Sequence, residues 1–164
     1  MIFDQLRIGK DGRRFRLYKY RSMVLNADYK LEKYLEANEE ARKEYRETKK
    51  LKHDPRITKV GAFIRKTSID EFPQFINVLR GEMSIVGPRP YLPKEKEEMG
   101  EAYETIIKMK PGLTGYWQTN GRSNVTFNDR VKMDVKYYKD RSFKTDIMLF
   151  VKTFSHLVKN EGAM

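Results

Sequence analysis

Apolar and polar positions alternate at the start of the chain, with Ile2, Phe3, Leu6 and Ile8 before Gly9-Lys10-Asp11-Gly12 and Phe15, Leu17, Tyr18 and Tyr20 after it. A period of two on either side of glycine-rich turn chemistry predicts a β-hairpin within residues 1–24. Over residues 27–52 the period lengthens, and a sparse stripe of Leu31, Tyr34, Leu35 and Tyr45 runs among alternating Glu and Lys. This predicts one long polar helix, solvated on most of its surface. Asp54-Pro55 predicts the start of a short helix carrying Ile57, Val60, Phe63 and Ile64 on one face. Ser68 is the expected cap of the next helix, with Phe72, Phe75, Ile76 and Leu79 toward the core and Gly81 at its end. Pro73 removes a backbone donor early in that helix, so a local kink is expected there.

Met83, Ile85 and Val86 predict a brief strand running into a rigid Gly87-Pro88-Arg89-Pro90 loop. Pro93 opens an acidic helix expected to reach about Met109, and Lys110 to Gly115 reads as a turn. Tyr116-Trp117-Gln118 is expected to be extended, ahead of a polar loop from Thr119 to Asn124. Two helices close the chain. Thr126 caps the first, with Phe127, Val131, Val135 and Tyr138 along one face; Ser142 caps the second, with Phe143, Ile147, Phe150, Phe154 and Leu157 along one face. No internal repeat appears. The sum is a single helix-rich α+β domain over residues 1–164, without the strand–helix alternation of a doubly wound sheet. Several of its helices are expected to be amphipathic at a membrane surface.

Charge narrows the choice of partner. A net charge of +11 calls for an anionic one: nucleic acid, an anionic lipid surface or a phosphorylated small molecule. The chain has no cysteine, which excludes disulfides and thiolate metal sites, and its two histidines, His53 and His156, are far apart. No apolar run approaches the roughly 20 residues that span a bilayer. A soluble or peripheral chain is expected.

Chemistry concentrates at Asp70-Glu71, where adjacent carboxylates follow Arg65 and Lys66 and precede Arg89 between Pro88 and Pro90. A carboxylate pair can bind a divalent metal or attack phosphorus, and arginine forks match phosphate oxygens. Ser68-Ile69-Asp70-Glu71 also fits a capping box, and a helix N-terminus would hold Asp70 ionised while greeting phosphate. Catalysis and capping both stay open on the local pattern.

These residues sit in an ordered series that resembles the bacterial sugar transferases, the monotopic phosphoglycosyl transferases. The series includes Arg7 to Gly12, Lys19-Tyr20-Arg21-Ser22-Met23, Asp54 to Thr58, Arg65 to Gln74 and Gly87 to Pro90. Lys110 to Gly115, Gly121-Arg122 and the Asp134, Tyr137-Tyr138, Ser142, Asp146 pattern continue it. The resemblance implies transfer of a sugar 1-phosphate from a nucleotide diphosphate sugar, with uridine as the implied nucleotide, to polyprenyl phosphate. It implies Asp70 as the nucleophile, forming a phospho-sugar aspartate, and Glu71 with Asp70 as ligands of Mg²⁺. Arg65 and Lys66 would bind phosphate, Lys19, Arg21, Gln118 and Arg122 would bind phosphate or nucleotide or pair with acidic residues inside the fold, and Pro88, Arg89 and Pro90 would shape the donor pocket. The implied place is the cytoplasmic face of the bacterial inner membrane, at the start of O-antigen, capsule or exopolysaccharide synthesis; a homodimer is compatible with it. Family members carry a hydrophobic re-entrant helix just before the first strand. Met1 sits where that helix would end, so a truncated chain or another anchor is expected.

Two other classes compete. A basic nucleic-acid-binding module would use the cationic hairpin, but acidic residues interrupt the basic ones beyond residue 26 and no nucleic-acid motif is present. No nucleic-acid partner is therefore expected. An inert membrane-surface scaffold would keep Asp70-Glu71 only as a helix cap.

Overall fold

The computed structural model describes residues 2–119 and 125–158, the last three by backbone alone. Arg122 and the side chain of Leu157 lie outside that description. The fold is α+β. The hairpin forms as the alternation predicts: β1 (Ile2–Ile8) pairs antiparallel with β2 (Arg14–Tyr20), from Ile2 opposite Tyr20 to Ile8 opposite Arg14. Asp11 and Gly12 at the turn take left-handed backbone, with φ of 56° and 74°. Phe15 and Leu17 point inward, where Met83, Val78 and Leu113 meet them.

The polar segment forms two helices, α1 (Ala27–Ala37) and α2 (Glu39–Thr48). Asn38 breaks it by going extended and accepting a hydrogen bond from Ala41 N on its side-chain oxygen. That is a cap outcompeting helix continuation. The next helix, α3 (Lys59–Lys66), begins at Thr58, whose hydroxyl accepts from Gly61 N, and not at Asp54. Asp54 instead grips Arg56, taking Nη2 at 2.7 Å and Nε at 2.8 Å. Gly61 lets α3 lie against Ser22, because a Cβ there would stand 1.8 Å from the Ser22 carbonyl oxygen.

Ser68 does not cap a helix. It takes a left-handed conformation with φ 56°, which stops α3 and turns the chain into a single 3-10 turn at Ile69–Glu71. For a residue with a Cβ this costs on the order of 1 kcal/mol. Pro73 then separates the turn from α4 (Gln74–Leu79), so the expected kink is a full break.

The face that α4 buries is polar. Asn77 is 0% exposed, while Phe72, Phe75, Ile76 and Leu79 are exposed, Leu79 at 88%. The reason is β2, whose outer edge is free on the side away from β1. Asn77 docks there like a short strand: its Oδ1 accepts from Tyr18 N at 3.1 Å and its Nδ2 donates to Arg16 O at 2.7 Å. Nδ2 also donates to Glu82 Oε2 at 2.6 Å. A helix cannot offer both its faces to one strand, so the aromatic face is left outward.

β3 (Ser84–Val86) pairs in parallel with β4 (Gly112–Thr114), a strand formed where a turn was expected. The acidic helix is broken at Gly100, giving α5 (Lys96–Met99) and α6 (Ala102–Ile106) after a 3-10 turn at Pro93–Glu95. Tyr116-Trp117-Gln118 is not extended but helical, within α7 (Tyr116–Thr119). Thr126 and Ser142 cap α8 (Phe127–Asp140) and α9 (Phe143–Val158) as expected, accepting from Asp129 N and Thr145 N. α8 covers a core of Tyr91, Met99, Ile106, Phe127 and Val131. α9 buries Leu149 beside Val86, Met109 and Tyr137, and leaves Phe143, Ile147, Phe150 and Phe154 exposed. No helix among the described residues is long and apolar enough to cross a membrane.

The loop after β3 is held from two sides. Ile8 N donates to Tyr91 O at 2.9 Å and Arg7 Nη1 to Pro90 O at 2.9 Å, which ties it to the hairpin. On the other side Asp134 Oδ2 accepts from Tyr91 Oη at 2.7 Å and from Arg89 N at 3.1 Å. Asp134 is fully buried, and that burial pushes its carboxyl from 3.8 up to about 7, against the pull of the Tyr91 and Arg89 donors.

Two consequences can be measured. Replacing Asn77 with Leu strands Tyr18 N and Arg16 O, and should cost about 3–5 kcal/mol in urea unfolding. The folded chain holds the Asp134 proton up to about pH 7, whereas the unfolded chain releases it near 3.8. Asp134 therefore lowers stability as pH rises between those values, by roughly 4 kcal/mol at most, and no further above them. Asp134→Asn should remove that fall, read as the wild-type-minus-variant difference in unfolding free energy across the window.

Candidate active site

Three elements bring the acidic pair to its place. β2 supplies Lys19, α3 supplies Arg65, and the 3-10 turn between α3 and α4 presents Asp70 and Glu71 against both. Ser22, just beyond β2, fixes Arg65 by accepting from its Nε at 2.8 Å. The Arg65 terminal nitrogens make no hydrogen bond among the described residues and remain open to a ligand.

The two carboxylates are not equivalent. Glu71 is half-exposed and accepts from Lys19 Nζ at 2.9 Å. Crowding by protein disfavours its charge, but Lys19 outweighs that, helped by Arg89 and Lys50, and Glu71 stays below the ordinary range. Asp70 is 6% exposed and makes no ion pair among the described residues. Burial pushes its carboxyl up, with the neighbouring Glu71 charge adding to the rise and Lys19 and Arg65 opposing it. The expected helix N-terminus is absent, since a three-residue 3-10 turn has no developed dipole. Asp70 is thus the more basic carboxylate of the pair and Glu71 the fixed anion. Among the described residues no group of three or more His, Cys, Asp and Glu could enclose a metal. Two adjacent hard-oxygen donors do fit Mg²⁺, which commonly takes one or two carboxylates and completes its shell with water and substrate phosphate.

Arg89 joins this site from the loop. Its guanidinium lies over the Trp117 ring, 5.4 Å from the centroid, and its buried Nε has no acceptor among the described residues. Pro88 is buried, its carbonyl accepting from Gly112 N at 2.8 Å, and the Pro90 carbonyl holds Arg7. Arg21 stacks over Phe3 at 5.6 Å, Gln118 Nε2 donates to Leu113 O at 3.0 Å, and Lys66 is exposed with no ion pair to the acidic residues. Arg122 falls outside the described residues.

Three cations that sequence reasoning does not single out belong to the same neighbourhood. Arg7 is buried, and burial and Arg89 bring it down to about 9. Arg130 faces inward from α8, beside Phe127, Val131 and Asp134. A charged residue on the buried face of a helix is a signal in the spacing. Lys50, in the segment after α2, carries no such signal within its run of charges.

Comparison with known proteins places the chain in a family. A family model for bacterial sugar transferase matches residues 1–160. The UDP-galactose-lipid carrier transferase of Erwinia amylovora is 47% identical over 162 residues, covering 99% of this chain and 34% of that protein. The undecaprenyl-phosphate galactose phosphotransferase of Salmonella typhimurium is 44% identical over the same 99% and 34% shares. The exopolysaccharide production protein ExoY of Sinorhizobium fredii is 40% identical over 163 residues, 99% of this chain and 72% of that protein. The chain therefore spans about a third of the first two relatives (34%) and most of the third. With the family match running along almost its whole length, the chain belongs to the bacterial sugar transferase family.

Proposed function

We propose that the chain transfers a sugar 1-phosphate from a nucleotide diphosphate sugar, with uridine as nucleotide, to polyprenyl phosphate. The observation that carries this is the inequality of the acidic pair: Asp70 buried, unpaired and shifted up, Glu71 paired and shifted down. Neighbouring groups driven apart in this way take different roles. Asp70 is the nucleophile. Its carboxylate oxygen bonds to the phosphorus nearest the sugar as the bond from that phosphorus to the nucleoside monophosphate breaks. A polyprenyl phosphate oxygen then attacks the same phosphorus and returns the Asp70 carboxylate, leaving a polyprenyl diphosphate sugar. Splitting the transfer into two displacements lets two bulky substrates use one site in turn.

Arg65 and Lys19 face the phosphoryl oxygens on which charge develops, and Arg89 holds the rest of the diphosphate. Mg²⁺ would be held by Glu71 with Asp70 and would supply neutralisation of the diphosphate charge. The names of the Erwinia and Salmonella relatives support a uridine nucleotide donor and an undecaprenyl phosphate acceptor. The ExoY relative supports a place in exopolysaccharide synthesis.

The acceptor is a membrane lipid, and the outward apolar face suits an anionic bilayer surface at the cytoplasmic side of the bacterial inner membrane. Val60, Phe63, Phe72, Phe75 and Leu79 on and between α3 and α4 stand in solvent, as do Phe143, Phe150 and Phe154 on α9. Large apolar residues at such exposure, on a chain of net charge +11, match interfacial binding.

In a transfer assay with labelled uridine diphosphate sugars and polyprenyl phosphate in vesicles, Asp70→Asn should lower turnover by at least about a thousandfold. Glu71→Gln should chiefly raise the Mg²⁺ requirement. Full turnover by Asp70→Asn contradicts the assignment. Leu79→Glu should weaken co-sedimentation with anionic vesicles while transfer to a short, soluble polyprenyl phosphate is kept.

A further inference from the structure

Trp117 is the single tryptophan of the chain, and three cations from three separate segments surround it. Lys50 Nζ lies 5.5 Å, Arg89 Cζ 5.4 Å and Arg130 Cζ 5.7 Å from its ring centroid. Lys50 follows α2, Arg89 follows β3 and Arg130 sits on α8, so the fold alone assembles them. None of the three has a carboxylate ion-pair partner among the described residues. Arg130 is only 1% exposed. One of its terminal nitrogens, Nη2, donates to the Thr48 carbonyl, which fastens the segment carrying Lys50 to α8.

An indole face attracts cations but accepts none of their N–H bonds in the ring plane. Arg89 Nε, Arg130 Nε and Trp117 Nε1 are all buried with no acceptor among the described residues. Buried donors seldom lack acceptors in native proteins, and three of them at one indole mark a missing anion. The like charges oppose one another as well. Burial, then Arg89 and Arg130, bring Lys50 down to about 8; burial, then Arg89, brings Arg130 to about 10. The cluster adjoins the acidic pair, since both Arg89 and Lys50 act on Glu71. Asp70 is acted on by Lys19 and Arg65.

We propose that Lys50 and Arg130, together with Arg89 around Trp117, form the seat of the nucleotide-side phosphate of a nucleoside diphosphate donor. The seat holds that phosphate while the sugar-side phosphorus faces Asp70, and it keeps the nucleoside monophosphate after transfer. The assignment rests on the reading of Asp70 as the attacking group.

Trp117 itself reports the test. Its emission, excited at the red edge of the indole band, should change saturably on titration with inorganic diphosphate, uridine diphosphate or uridine monophosphate. Lys50→Gln should weaken each affinity about tenfold, and Lys50→Arg should restore most of it. Unchanged diphosphate affinity in a folded Lys50→Gln variant overturns the seat. Displacement of diphosphate by farnesyl phosphate but not by uridine monophosphate also overturns it, by assigning the cluster to the acceptor. The two readings fail separately. Lost diphosphate binding in Lys50→Gln with full transfer by Asp70→Asn keeps the seat and removes the nucleophile; normal binding in Lys50→Gln with an inert Asp70→Asn does the reverse.

Discussion

The site depends on one amide. Asn77 completes the outer edge of β2 with a donor and an acceptor spaced to match Arg16 and Tyr18. Unpaired strand edges within a fold are costly, so this docking fixes which way α4 faces. With Asn77 inward, the 3-10 turn before α4 is drawn against β2, and Glu71 meets Lys19 there. The same orientation turns Phe72, Phe75, Ile76 and Leu79 outward. A buried polar contact thus sets two properties at once, the position of the acidic pair and the apolar surface beside it.

Electrostatic imbalance follows from that geometry. Arg7, Lys50, Arg89 and Arg130 are brought together with Glu71 as the nearest carboxylate acting on Lys50, and Asp134 spends its only bonded oxygen on Tyr91 and the Arg89 backbone. Such an excess of positive charge is tolerated because the elements holding it are tied by hydrogen bonds to the Tyr91, Pro88 and Thr48 carbonyls. It is a preorganised field, complete before any substrate arrives, and it favours binding of an anion. The unequal acidities within the pair belong to the same field: Glu71 lies inside it, whereas Asp70 lies under protein at its margin.

Much of the secondary structure was legible in the sequence, because alternation and capping act locally. The hairpin and the Thr126 and Ser142 caps follow from neighbouring residues alone. Burial was less legible. Apolar spacing on α4 and α9 marks a face but not what covers it, and here the inward choice was made by Asn77 and Leu149 through distant partners. Ser68 misled for a related reason, since its Ser-x-x-Glu pattern is real but tertiary contact imposed a left-handed turn. At the site, Asp70, Glu71, Arg65 and Arg89 stood out in adjacent motifs. Lys50 and Arg130 lie far from those motifs in sequence and join them only through the packing of α8 on the segment after α2.

The central claim is a covalent bond between Asp70 and a sugar phosphate. Intact-mass analysis of the chain mixed with Mg²⁺ and a panel of uridine diphosphate sugars, in the absence of acceptor, tests it directly. The expected result is a mass increase of one glycosyl phosphoryl group (a sugar phosphate less one water), located on Asp70 by peptide mapping and discharged when polyprenyl phosphate is added. Acceptor-dependent transfer with no adduct, or an adduct mapped to another residue, would contradict it.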